Sequence, residues 1–126
     1  MNKEVSTDDA PKAQGLLSQA IVSNGFVFTA GQIHSLSDGT LVDGSIEEKT
    51  HQVMKNLEAI LTAAGTNFKN VIKVVIYLTE ISYAPQVNEI YKSYFDEEPL
   101  PAREMVCVKA LPMGADIEIS LVAATN

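Results

Sequence analysis

At 126 residues, with 46% hydrophobic and 20% charged side chains, the chain has the length of one domain and a composition that excludes a disordered polymer. A net charge of -7, with nine Lys and Arg residues scattered along the chain, makes nucleic acid an unfavoured partner. The single cysteine, Cys107, excludes an internal disulfide, the two histidines, His34 and His51, give no recurrent metal-ligand spacing, and no apolar span reaches membrane length.

The start of the chain, to about Leu17, is polar and broken by Pro11 and Gly15, and reads as a short strand or arm. It lacks a charged head followed by an apolar run, so no export signal is expected and the protein reads as cytoplasmic. Gln19 to Ser23 and Phe26 to Ile33 are largely apolar runs split by Asn24-Gly25, the dipeptide that favours a two-residue hairpin turn. Ser35 to Gly44 reads as a loop. Ser45 and Glu48 have capping-box spacing, and Ile46, Val53, Leu57, Ile60, Leu61 and Ala64 form the apolar stripe of a helix that Gly65 ends; Glu47, Lys55 and Glu58 face away.

The β-branched run Val71 to Leu78 predicts a strand buried on both faces, and with the first helix it completes a strand-helix-strand unit. Tyr83, Val87, Ile90 and Tyr94 set a second helix, with Pro85 in its first turn. A connector from Glu97 to Pro101 leads to a strand over Ala102 to Ala110, a turn at Leu111 to Ala115, and a final strand in which Ile117, Ile119 and Leu121 alternate with Glu118 and Ser120. Two helices cover one face of such a sheet. The other face, also apolar, is expected to be buried against further copies of the chain.

Four segments, GLLSQAI from Gly15, FTAGQI from Phe28, VNEIYKSYF from Val87 and PAREMVCVKALPMGADIEIS from Pro101, together resemble the RidA/YjgF/L-PSP family from about Ala10 to Ala124. The resemblance implies one α+β domain over residues 1 to 126, of chorismate-mutase-like fold, with a mixed sheet carrying two helices on one face. It further implies a homotrimeric barrel with clefts between subunits. The implied activity is hydrolysis of enamines and imines released by pyridoxal-phosphate enzymes, giving 2-oxo acids and ammonia without a cofactor.

Residue by residue, Arg103 matches the family's substrate-binding arginine, whose planar fork suits a carboxylate; as an isolated side chain it could equally form a surface ion pair. Glu118 matches the glutamate that positions the attacking water, or else serves as an edge charge. Gly31 matches a backbone N–H donor to the carboxylate but also suits a bulge, and Asn88 matches a helix position beside the cleft. Met105 stands where many relatives carry cysteine, which leaves a backbone role intact, whereas Cys107 reads as an inert core residue. Leu17 replaces a common tyrosine, Ala30 a serine and His34 a proline, pointing to a more apolar cleft; His51 reads as solvated. The rival readings are a module that binds 2-oxo acids or a protein partner without turnover, and an endoribonuclease, which the acidic balance opposes.

Overall fold

The structure is a computed structural model that describes residues 1 to 125. Asn24 and Gly25 both take positive φ, 51° and 83°, the twist that lets a two-residue turn join right-twisted strands. Strands β2 (Ala20–Ser23) and β3 (Phe26–Thr29) therefore pair antiparallel, with Ser23 opposite Phe26. The arm before them forms β1 (Lys3–Val5) on the edge beside β2. Buried Gln19 ties that arm down: its Nε2 donates to the carbonyls of Thr7 and Pro11 at 3.0 and 2.8 Å, and its Oε1 accepts from Thr7 N at 2.7 Å.

The run to Ile33 is not one strand. It breaks at Ala30-Gly31 and resumes as β4 (Gln32–Ile33). Four residues separate Phe28 from Gln32, but their partners Val122 and Ile119 on the last strand lie three apart, so one extra residue is inserted: a bulge at Gly31.

Helix α1 (Ile46–Ala63) starts with both bonds of the capping box, Glu48 N to Ser45 Oγ at 3.1 Å and Ser45 N to Glu48 Oε1 at 2.9 Å. It stops in a Schellman motif, with Gly65 at φ 81° and Thr66 N donating to Leu61 O at 2.9 Å. Strand β5 (Val71–Leu78), helix α2 (Ala84–Tyr94), β6 (Ala102–Cys107) and β7 (Ile117–Ala124) complete the fold. Among the described residues the sheet order is β1-β2-β3-β7-β5-β6, with β4 also on β7. The strands flanking α1 both run antiparallel to β7, which lies between them; the adjacent parallel pair is β5 and β6, joined through α2. The expected strand-helix-strand unit around α1 is therefore present as a split one, its two strands parallel with β7 between them, and a second unit with adjacent parallel strands lies around α2.

Alternation decides the layers. Val74, Ile76 and Leu78 of β5 and Ile117, Ile119, Leu121 and Ala123 of β7 bury against Val53, Met54, Leu57 and Leu61 of α1 and Val87 of α2. Their neighbours point to the opposite face, which no helix covers, so β5 is fully buried on one side only within the protomer, in contrast to the two-sided burial expected from its composition. That open face carries Phe26, Phe28 and Val106, with Phe28 47% exposed.

Candidate active site

Glu118 stands between Ile117 and Ile119 on β7, opposite Tyr77 of β5 and Ile33 of β4, and so belongs to the open face. The bulge explains the glycine beside it. A Cβ built on Gly31 would lie 2.7 Å from Glu118 Cδ and 3.0 Å from Cγ, so a side chain at residue 31 would evict the carboxylate. Glu118 is half-buried, and burial alone pushes its carboxyl above the usual carboxylate range, which makes it a better proton acceptor than an exposed glutamate.

Glu118 and Gly31 share a cavity of about 480 Å³ with Leu17, Ile33, Pro112 and Met113. Leu17 lies at its rim, 57% exposed. The cavity wall is more apolar than polar and open to solvent.

His34 does not contribute to that wall, against the expectation that it alters the cleft. It is buried beneath the loop: Nδ1 bonds the Val42 carbonyl at 3.0 Å and Nε2 accepts from Asp116 N at 3.0 Å, which requires the neutral ring protonated on Nδ1. Burial lowers its pKa below that of an ordinary histidine, consistent with the neutral form. Asp116 is in turn bound by Lys49 Nζ at 2.6 Å, which pulls its carboxyl down and raises the lysine. Asp116 immediately precedes β7 and Glu118 is its second residue, so this knot of loop, helix and strand start fixes the strand end that presents the carboxylate. Buried Asn56 adds a brace, donating to Ser35 O at 2.8 Å.

Arg103 is elsewhere. Its β6 position pairs with Val74 of β5, which places it on the helix-covered face, at the sheet's outer edge. Nη1 donates to Asn88 Oδ1 of α2 at 2.7 Å, and the guanidinium lies over the Tyr91 ring, 4.8 Å from its centroid. Among the described residues no carboxylate pairs with it, so the surface ion pair considered from sequence is not formed. Met105 points the same way and packs against the core, leaving only its backbone for a role in a cleft.

The residues singled out from sequence therefore form two groups: Leu17, Gly31 and Glu118 around the cavity, and Arg103 with Asn88 at the edge. Within one protomer the two groups occupy opposite faces of the sheet. One further expectation is corrected: Cys107 is exposed because, among the described residues, β6 is an edge strand. His51, partly exposed, also meets the Tyr94 hydroxyl of α2 at 3.0 Å. Tyr91 was not singled out, although its spacing of three from Asn88 puts both on one helix face.

The family model described as Endoribonuclease L-PSP matches residues 7–125. A protein of Rattus norvegicus named 2-iminobutanoate/2-iminopropanoate deaminase is 44% identical over 124 residues, covering 98% of this chain and 90% of its own length. Among solved structures, yeast Mmf1 superposes with a TM-score of 0.97 at 35% identity over 100% of both chains. Escherichia coli TdcF, solved with bound serine, gives 0.91 at 31% identity over 98% of this chain and 99% of its own. The mixed sheet and its two helices agree with sequence and fold similarity along the chain: it belongs to the RidA/YjgF/L-PSP family, which includes reactive-intermediate deaminases.

Proposed function

We propose that the protein is a cytoplasmic 2-iminobutanoate/2-iminopropanoate deaminase that acts as a homotrimer, each site being shared between two protomers. The observation that carries this reading is the separation of Arg103 from Glu118: a guanidinium with no carboxylate partner among the described residues and a half-buried carboxyl are turned to opposite faces of one sheet, so a second copy has to supply the missing half. The exposed apolar side chains of the open face give such a copy a surface to bury. The deaminase name of the rat relative and the serine bound by TdcF support a small α-amino-acid-like substrate.

In this scheme Arg103 of one protomer binds the carboxylate of a 2-imino acid through its fork of donors, aided by the Gly31 backbone of the neighbour. Glu118 and the Met105 carbonyl hold a water against the imine carbon. As the water oxygen bonds to that carbon, the C=N π pair moves to nitrogen and Glu118 takes the water's proton. Glu118 returns that proton to nitrogen, giving the carbinolamine, and then carries the hydroxyl proton to nitrogen as the carbonyl forms, the C–N bond breaks and ammonia leaves. Water is the only co-reactant and no electrons are exchanged, so the residues present suffice without a cofactor. Positioning supplies much of the rate.

Purified protein added to a threonine dehydratase reaction should accelerate 2-oxobutanoate and ammonia release, and Arg103→Ala should abolish the gain. Rates equal to the protein-free reaction for wild type would overturn the reading in favour of a binding module. Cleavage of RNA lost with Arg103→Ala would instead favour the endoribonuclease named in the family description, which the net charge of -7 opposes.

A further inference from the structure

Behind Arg103 stands an aromatic column that the reaction scheme does not use. Phe68 meets Phe95 edge-on with centroids 5.3 Å apart, and Phe95 meets Tyr91 at 4.6 Å with the rings tilted by 32°. Tyr91 carries the guanidinium at 4.8 Å. Phe95 is buried and Tyr91 half-buried, so the rings nearest the arginine are seated on the core while the arginine itself is exposed.

Arg103 needs such a seat. Strand β6 is paired on one side only, and an arginine side chain on an exposed edge samples many rotamers, each of which would have to be given up when a carboxylate binds. A ring face attracts the guanidinium through its quadrupole and favours a stacked arrangement, which restricts the plane of the fork. The Asn88 amide, one turn before Tyr91 on α2, fixes the direction within that plane by accepting from Nη1 at 2.7 Å. Plane and direction together are what a bidentate pair with a carboxylate requires.

We propose that Tyr91 is a positioning residue for substrate binding, its ring setting the plane of the Arg103 guanidinium so that the fork is preorganised for the carboxylate. The inference rests on the reading that Arg103 binds that group. It assigns the effect to the ring face and not to the hydroxyl, and to affinity rather than to the chemical step.

The test uses the full-length protein with Tyr91→Phe, Tyr91→Leu, Arg103→Ala and the Tyr91→Leu/Arg103→Ala double variant. Calorimetry reports the Kd for 2-oxobutanoate, and the dehydratase-coupled assay reports kcat and KM. Tyr91→Phe keeps the ring and should stay within about twofold of wild type, while Tyr91→Leu, which keeps apolar bulk without a π face, should raise KM and Kd by about 3- to 30-fold with kcat changed by less than about threefold. In the Arg103→Ala background Tyr91→Leu should add nothing to Kd, which a general packing defect would not reproduce. Should Tyr91→Leu unfold, Tyr91→Met is measured against the same criteria. Wild-type KM in Tyr91→Leu, equal losses in the Phe and Leu variants, or a loss confined to kcat each overturn the inference and leave the function intact. Wild-type affinity in Arg103→Ala overturns both.

Discussion

The two faces of the sheet solve different problems. The covered face buries Val74, Ile76, Ile117 and Ile119 under both helices and is complete within one chain; at its edge it holds Arg103 over Tyr91. The open face exposes Phe28 and Val106 and carries Glu118 on a bulged margin beside a cavity. One face thus supplies stability and a cation, the other a half-buried carboxyl and an apolar surface left open within the protomer. Groups pointed apart by strand alternation cannot be reunited by a rotamer change; if Arg103 and Glu118 act on one substrate, as proposed, joining them takes a second molecule, and assembly is a condition of that activity.

The largest effect expected from this contrast is in complementation. Arg103→Ala and Glu118→Gln should each lower kcat/KM by about 100-fold or more when assembled alone. Co-refolded in equal amounts, they should regain about a quarter of wild-type activity, because random assortment joins intact Arg103 to intact Glu118 at that fraction of shared sites. A site contained in one chain would regain nothing.

A smaller effect follows at the bulge. Gly31→Ala should push the Glu118 carboxylate from its seat, destabilise the fold by about 1–3 kcal/mol and lower kcat more than it changes the Kd for 2-oxobutanoate. A variant with wild-type kcat and melting temperature would remove the steric reason given for glycine there.

The smallest effect concerns pH. Burial raises the Glu118 carboxyl, so kcat/KM should fall with acid at a pH above the ordinary glutamate range as the base is protonated. The stability sign is opposite to that of a salt-bridged carboxylate: the folded state binds the proton more tightly than the unfolded one, so this group's contribution declines as pH rises from the unfolded value through the folded one. Glu118→Gln should therefore raise the melting temperature at pH 7 while removing activity. A lower melting temperature, or an acid limb at the pH of a solvated glutamate, would contradict the burial argument.

Much of the local architecture was legible in the sequence because its causes lie within a few residues. Asn24-Gly25 accepts positive φ, Ser45 and Glu48 satisfy each other's backbone donors across one turn, and Gly65 ends the helix at a left-handed step. Arg103 and Glu118 were legible through their motifs, and the side of the sheet each faces follows from alternation once the register is known. Where the reading missed, the cause was long-range. Polar character at His51 gave no sign of Tyr94, 43 residues on, and Cys107 reads as core until β6 is found at the edge. His34 is separated by 82 residues from the backbone amide that fixes its tautomer.

By itself the sequence determined the kinds of element, their caps and turns, and the residue types that could carry the chemistry, since these follow from φ preferences, apolar periodicity and short-range hydrogen bonding. Only the tertiary structure decided which residues share a face. Inserting β7 between strands laid down much earlier in the chain set the register that seats Gly31 against Glu118 and turns Arg103 the other way. Side chains alternate with every residue, so a one-residue shift in pairing exchanges the two faces, and no local pattern near Arg103 or Glu118 carries that information.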